Sequence, residues 1–505
     1  MSPMKRRVVA VAILTLFCSR ALAHDEQPKL EKDKVSLDVS VADPIMLADK
    51  KQTTFVKVGL TGFELEKAKD RAAVNIALVI DKSGSMQGQK IEKAKQAAIA
   101  AIERLRKDDI VSVVVYHDGV QVILPATKLT DKETARAAIR SIRPGGSTAL
   151  FAGVSKGAAE VRKFLDANRV NRVILLSDGR ANVGPDSPSA LGEFGASLLK
   201  ENIAVTTLGL GLDYNEDLMT KLAVQSNGNH LFIENADDLI ATFNHEFNDV
   251  LSVVAQEITI NVNVREGIRP KSVLGHEADI HGQQITIQLN QLYAQQERFI
   301  LVEVEVPATA DGATREIADV AVSYANMLTK TTDSMSAKTA VTFSNEVAEC
   351  EASKNKEVSE KAVLLIANAQ NRYATELRDL GKIDEAREIL MNNYKFLDAN
   401  ALKFKSMVLE QQKFLNRIQA DNLDEKNWAR TRKGMLRDNA AVENQAPGYK
   451  GEGFGGGGGG YGGGYGDGSG GYGGSGGGYG GGYGGGGYGF KTLKEVDKKS
   501  SPSKK

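Results

Sequence analysis

Cysteine is nearly absent from this 505-residue chain, which holds only Cys18 and Cys350. Cys18 lies in an amino-terminal leader, so the cleaved chain keeps one thiol and forms no intrachain disulfide. Stability outside the cytoplasm must then come from packing or bound metal. Cys350 reads as a small, half-buried apolar residue near a helix start, with intermolecular pairing as the alternative. Net charge is missing too. Lys+Arg and Asp+Glu number 64 each, and a leader holding Lys5, Arg6, Arg7 and Arg20 leaves 60 basic against 64 acidic residues, a net of −4. Such a balance gives no electrostatic footing for nucleic acid. Long apolar runs are also lacking: Val8 to Phe17 is too short to span a bilayer, and no other stretch approaches 18 uncharged apolar residues. No transmembrane segment is predicted.

The leader itself is well formed. Lys5-Arg6-Arg7 precedes the apolar run, and Ala21-Leu22-Ala23 has the small-x-small form that signal peptidase reads. Residues 1–23 are therefore predicted to be a signal peptide, cleaved before His24, giving a soluble chain in the periplasm or outside the cell. With 42% hydrophobic residues the chain has material for a core, which excludes global disorder. At ~150 residues per domain, about three folded units fit before the final glycine block.

Apolar and polar residues alternate at Val35, Leu37, Val39 and Val41 and again at Val56, Val58 and Leu60. That period of two predicts half-buried strands over 24–72, too few to form a stable sheet alone. The same period returns in 251–345, at Ile258-Ile260-Val262-Val264, Ile285-Ile287-Leu289, Val302-Val304-Val306, Val320-Val322-Tyr324 and Val341-Phe343. The two flanks together predict an antiparallel β-sandwich. Between them, Val74 to Ile80, Ile110 to Val115, Val173 to Leu176 and Ile203 to Leu208 are nearly continuous apolar runs, separated by helical stretches starting near Lys90, Asp131, Leu150, Ala190, Glu216 and Ala236. Parallel strands covered on both faces look like this. The fold class predicted for 73–250 is a doubly wound, mostly parallel α/β sheet, Rossmann-like, with its ligands at the carboxyl ends of the strands.

Residues 346–440 carry helical spacing at Ala362, Leu365, Ala369 and Tyr373 and at Ala386, Leu390, Tyr394 and Leu397, with Gly381 at a turn. They predict a helical hairpin or small bundle. Residues 441–505 are predicted to be a disordered tail. Gly451 to Phe490 is glycine with Tyr461, Tyr465, Tyr472, Tyr479, Tyr483 and Tyr488 spaced along it and no Arg. It reads as a spacer, or as a string of weak tyrosine contacts. The Lys-rich end after Lys491 reads as a solvated tail, with weak contact to an anionic envelope surface as the alternative.

Asp81-Lys82-Ser83-Gly84-Ser85-Met86 follows the first central strand. Asp81, Ser83 and Ser85 alternate, so three oxygen side chains converge from one tight loop that Gly84 lets bend. Such a loop alone also caps a helix. Two more loops at strand ends add candidates: Thr148 in Gly145-Gly146-Ser147-Thr148, and Asp178 in Ser177-Asp178-Gly179. All five are hard oxygen donors, which suit Mg²⁺, with Mn²⁺ or Ca²⁺ as alternatives.

This set resembles the metal-ion-dependent adhesion site of von Willebrand factor type A domains. The stretches Ser177-Asp178-Gly179-Arg180-Ala181-Asn182-Val183-Gly184 and Gly209-Leu210-Gly211-Leu212-Asp213-Tyr214-Asn215 are similar to the bacterial branch related to inter-alpha-trypsin-inhibitor heavy chains and calcium-activated chloride channel homologues. The resemblance implies that Ser83, Ser85 and often Thr148 contact the metal directly, and that Asp81 and Asp178 act largely through waters. It further implies an open position that accepts an Asp or Glu carboxylate from a protein partner. The channel label does not carry over, because no spanning segment exists to form a pore.

Catalytic signals are weak. Gly84-Ser85-Met86-Gln87-Gly88 is not the nucleophile elbow, and His245-Glu246 lacks the second histidine of a zinc-protease helix because position 249 is Asp. His117, His230, His276 and His281 are scattered and read as surface or satisfied polar residues. The chain is thus read as a non-enzymatic, exported adhesion or scaffold module. The alternative is a structural envelope or assembly protein acting through its Gly/Tyr-rich tail.

Overall fold

The computed structural model describes residues 32–65, 70–179, 183–276 and 278–445. The segment predicted to be a signal peptide, the Gly/Tyr-rich and Lys-rich segments, and Arg180, Ala181 and Asn182 of the motif quoted above lie outside the described residues.

The first alternating stretch forms β1 (Ser36–Val41), a short β2 (Ile45–Leu47) and β3 (Gln52–Thr61). The chain then leaves these strands for an α/β layer and returns only after residue 252. That layer contains β4 (Ala73–Asp81), α1 (Gln89–Arg104), β5 (Ile110–Tyr116), β6 (Val120–Lys128), α2 (Lys132–Arg140) and α3 (Leu150–Arg162). It continues through β7 (Arg169–Ser177), α4 (Pro188–Lys200), β8 (Ile203–Leu210), α5 (Glu216–Gln225), β9 (His230–Ile233) and α6 (Leu239–Leu251). The sheet order is β6-β5-β4-β7-β8-β9, parallel except for β6 on β5. Helices cover both faces. Ile91, Ala98 and Ile102 of α1 and Phe243 and Phe247 of α6 bury one side, while Leu150, Val154, Leu191, Leu198, Leu218 and Leu222 of α3, α4 and α5 bury the other. This double cover explains why the four inner strands are buried along almost their whole length and mostly apolar.

The sequence reading missed β6 and β9 for a physical reason: both are edges. β6 has one exposed face and carries Pro125, which an edge tolerates because its N–H side need not pair. β9 is four residues long.

On its return the chain forms β10 (Val253–Val264), β11 (Arg269–Leu274), β12 (Asp279–His281), β13 (Gln284–Tyr293), β14 (Glu297–Val306), β15 (Thr314–Asn326) and β16 (Thr332–Ser344). Two sheets result, β1-β3-β14-β11 and β12-β13-β10-β15-β16-β2, antiparallel apart from the β16–β2 pair. The alternating residues of both flanks meet between them: Val56, Val58 and Leu60 pack with Ile260, Val262, Val302, Val320 and Val322. Register is fixed by that burial, with Val302 opposite Val56 and Ile300 opposite Val58.

Among the described residues, five helices then follow: α7 (Val347–Ser353), α8 (Lys356–Asp379), α9 (Ile383–Phe404), α10 (Met407–Asp421) and α11 (Glu425–Asn444). The result is a bundle rather than a lone hairpin. Gly381, at φ 78°, makes the α8–α9 turn, and Cys350 is buried on α7 as a free thiol. No described helix is long and apolar enough to cross a membrane.

A buried polar knot ties the α/β layer to the sandwich. Arg172 of β7, fully buried, donates to Glu246 of α6 at 2.6 Å, to Thr206 at 2.9 Å, to the Tyr293 hydroxyl of β13 at 2.9 Å and to Gln291. Asn229 donates to the other Glu246 oxygen at 2.8 Å. Beside the knot, burial raises the Asp249 carboxyl from 3.8 to about 8, with Glu246 adding to the shift and Arg172 opposing it. A folded-state value above the unfolded one means the folded chain holds the extra proton between these two values. Stability is therefore greatest at the acid end of that window and declines as pH rises through about 8. Urea melts across this range should show that slope in the native chain and a flatter one in Asp249→Asn.

α11 ties the bundle to the α/β layer. Arg432 reaches Glu216 at 2.8 Å and Asp217 at 2.8 Å, at the start of α5, and Asp379 of α8 at 2.7 Å. Lys433 donates to the Tyr214 carbonyl at 2.9 Å, pairs with Glu216 and lies 4.2 Å from the centre of the Tyr214 ring.

Candidate metal centre

Ile80 is the last apolar residue of β4, and Asp81 closes the strand opposite Tyr116. The chain then tightens into a 3₁₀ turn, Gly84–Met86, whose Met86 side chain is fully buried and anchors the loop. Gly84 itself does not take the left-handed conformation; Gly88, at φ 81°, reverses the chain into α1. Backbone bonds join this loop to the one before α3: Gly145 N donates to Lys82 O at 2.7 Å, and Gly84 N donates to Gly146 O at 3.0 Å. Gly146 is required there. It sits at φ 84°, and a Cβ would stand 2.6 Å from the Asp118 carboxylate.

All five predicted residues are described, and the three loops bring them together. Asp81 and Asp178 are fully buried, Ser83 and Thr148 nearly so, and Ser85 is exposed. The Ser83 and Ser85 hydroxyls are 3.1 Å apart, and the Ser85 hydroxyl donates to Asp178 Oδ1 at 2.7 Å. Thr148 belongs to the same cluster through Gly179: a Cβ there would lie 2.8 Å from Thr148 Oγ1 and 3.6 Å from Asp81 Oδ2. A side chain at 179 would thus fill the cradle. Asp81 is braced from behind, with Oδ1 accepting from Ser83 N at 2.8 Å and Oδ2 from the Ser177 hydroxyl at 2.7 Å. Burial raises the Asp81 carboxyl above its ordinary value, against those hydrogen bonds and with the Asp178 charge adding to the rise. A cation between the loops would relieve that cost.

The donor set fits a hard divalent ion. A hydroxyl that gives its proton to a carboxylate, as Ser85 does, keeps its lone pairs for a metal, and the set holds no sulfur or imidazole. Among the described residues no cluster of three or more His, Cys, Asp or Glu exists that could hold a metal. The buried floor of Asp81, Ser83, Thr148 and Asp178 and the exposed rim of Gly84, Ser85, Gly145 and Gly146 leave the solvent side as the approach.

Two participants escaped the sequence reading. Ser177, which orients Asp81, ends a strand and looks there like any strand residue. Lys90, whose ammonium lies 2.5 Å from Asp178 Oδ2, looks like an ordinary surface position in a helix rich in Lys. Of the scattered histidines, His230 is buried and satisfied. It meets Thr207 at 2.9 Å and the Tyr214 hydroxyl at 3.3 Å, and burial lowers its value to about 3. It thereby props Tyr214, whose ring folds over Gly209 so closely that a Cβ would sit 2.2 Å from it. A cleft of about 1010 Å³ lies elsewhere, lined by Lys200, Asn227, Thr259, His276 and Gln288 at the opposite ends of the strands, and includes none of the five site residues.

A doubly wound α/β layer with hydroxyl and carboxylate side chains gathered at its carboxyl edge is the architecture of a von Willebrand factor type A domain. Residues 75–246 match the von Willebrand factor type A domain family, so the chain carries a domain of that family. The chain is 27% identical over 240 residues to the uncharacterized protein YfbK of Escherichia coli K12, across 46% of this chain and 42% of that protein. It is 28% identical over 163 residues to human inter-alpha-trypsin inhibitor heavy chain H3, across 30% of this chain and 18% of the relative. The chain thus spans less than half the length of these curated relatives. Among solved structures, a von Willebrand factor type A protein from Catenulispora acidiphila superposes with a TM-score of 0.62 at 16% identity, over 75% of this chain and 90% of that one. At that identity the likeness concerns the fold, and it reaches well beyond the α/β layer. Domains of this family often depend on divalent metal and take part in protein interactions.

Proposed function

We propose that this chain is an exported protein-binding module in which Mg²⁺, held by Ser83, Ser85 and Thr148 with Asp81 and Asp178 behind them, receives an Asp or Glu carboxylate of a partner protein. The observation that carries the reading is the convergence of five oxygen side chains from three separate loops, with Ser85 Oγ 2.7 Å from Asp178 Oδ1. Two carboxylates balance a divalent charge only formally, and the hydroxyl ligands are neutral. The bound ion therefore stays electrophilic toward an anionic side chain. The buried floor keeps the donors in place before the ion arrives, and the exposed rim leaves room for a partner. The amino-terminal leader supports an envelope or extracellular location.

The test is affinity capture from an envelope fraction with the full chain as bait, in Mg²⁺ and in EDTA. Capture of a defined partner that EDTA abolishes and Mg²⁺ restores supports the reading; capture indifferent to EDTA refutes it. Deleting 451–505 leaves the metal-dependent capture unchanged if the α/β layer is the binding element.

A further inference from the structure

Asp178 has no free oxygen. Ser85 donates to Oδ1 at 2.7 Å, and the Lys90 ammonium sits 2.5 Å from Oδ2. The carboxylate is fully buried, whereas the Lys90 side chain is 30% exposed. Lys90 is the second residue of α1, at the positive end of that helix, where a cation is disfavoured by the helix dipole. A lysine there does not serve the helix. It serves the carboxylate facing it. The opposite wall of its slot is Gly211, at φ 78°, whose missing Cβ would stand 3.7 Å from the ammonium.

We propose that Lys90 is a resident cation of the metal centre, which neutralises Asp178 in the metal-free chain and competes with the divalent ion for that carboxylate. The inference rests on the metal-site reading above and goes beyond it by naming the residue that sets the affinity. A flexible four-carbon stem that is partly exposed lets the ammonium swing toward solvent when the ion binds, so exchange requires no backbone movement. Two carboxylates and one ammonium leave the site at −1. A divalent ion takes it to +1, so the loaded site attracts an anionic side chain. Without Lys90 the loaded site would be neutral. The lysine thus weakens metal binding and keeps the loaded site positive.

The experiment is Mg²⁺ titration by calorimetry on the full chain and on Lys90→Gln and Lys90→Arg, with thermal melts of each in EDTA and in saturating Mg²⁺. Removing one charge a few ångströms from a divalent ion should tighten Mg²⁺ binding by on the order of tenfold or more in Lys90→Gln. Lys90→Arg should stay near the native affinity. In EDTA, Lys90→Gln should melt below the native chain because Asp178 has lost its partner. In saturating Mg²⁺ the gap should close or reverse, since a ligand bound more tightly stabilises more. A purely structural lysine would lower stability under both conditions. Unchanged or weaker Mg²⁺ binding in Lys90→Gln, with saturable binding in the native chain, overturns this inference alone. Absence of Mg²⁺ binding in the native chain overturns the metal-site reading with it.

Discussion

Replacing Asp81 with alanine is expected to abolish Mg²⁺ binding and, with it, EDTA-sensitive capture of the partner proposed above. Asp81 provides one of the two negative charges of the site. A divalent ion and a carboxylate about 5 Å apart, at an effective dielectric of ~40, attract each other by roughly 3 kcal/mol, so affinity falls by at least about a hundredfold. The alanine also strands the Ser177 hydroxyl and the Ser83 amide, both of which donate to Asp81. Asp81→Asn separates charge from scaffold: it keeps an acceptor of the same shape, so the chain folds while metal affinity still drops. Calorimetry on Asp81→Asn alongside its melting curve makes the check. A folded Asp81→Asn chain with native Mg²⁺ affinity would remove this residue from the site.

The second large effect lies far from the metal. Arg172→Met removes the cation that, among the described residues, pairs with Glu246 in a knot where both side chains are almost wholly buried. Breaking such a pair leaves an uncompensated charge in the interior and costs about 3–5 kcal/mol. For a folded chain of this size the midpoint of thermal unfolding should fall by about 4–6 °C. The double variant Arg172→Met with Glu246→Gln should recover much of the loss, because the charge that made the single variant costly is gone. A melt that shifts equally in both variants would show that packing, not the ion pair, holds the two layers together.

The inner strands and the site were legible for one reason: both rest on short-range rules. A strand covered on two faces is mostly apolar along its length, and one tight loop can gather oxygen donors placed two apart, as at Asp81, Ser83 and Ser85. Thr148 and Asp178 were legible because glycine marks their loops and apolar runs mark the strand beside them. Edges were not legible. β6, β9, β11 and β12 bury one face or little at all, so Pro125, Pro270 and the polar residues around them carry no strand pattern. The bundle was half legible because α8, α9 and α10 meet through amides as well as through aliphatic faces. Asn393 and Asn416 both donate to Asn371 Oδ1, at 2.8 and 2.9 Å, and buried asparagines interrupt the helical period that would announce such an interface. Lys90 and Ser177 escaped because their roles exist only across elements: a side chain from one loop answers a carboxylate from another.

The α/β layer is inserted between β3 and β10, so it hangs from the sandwich by two strands of chain rather than one. Its first strand begins and its last helix ends on the side remote from Asp81, and α6 passes into β10 after a single residue. A load applied at the Asp81 edge of the layer would therefore divide between two covalent connections to one support rather than fall on one.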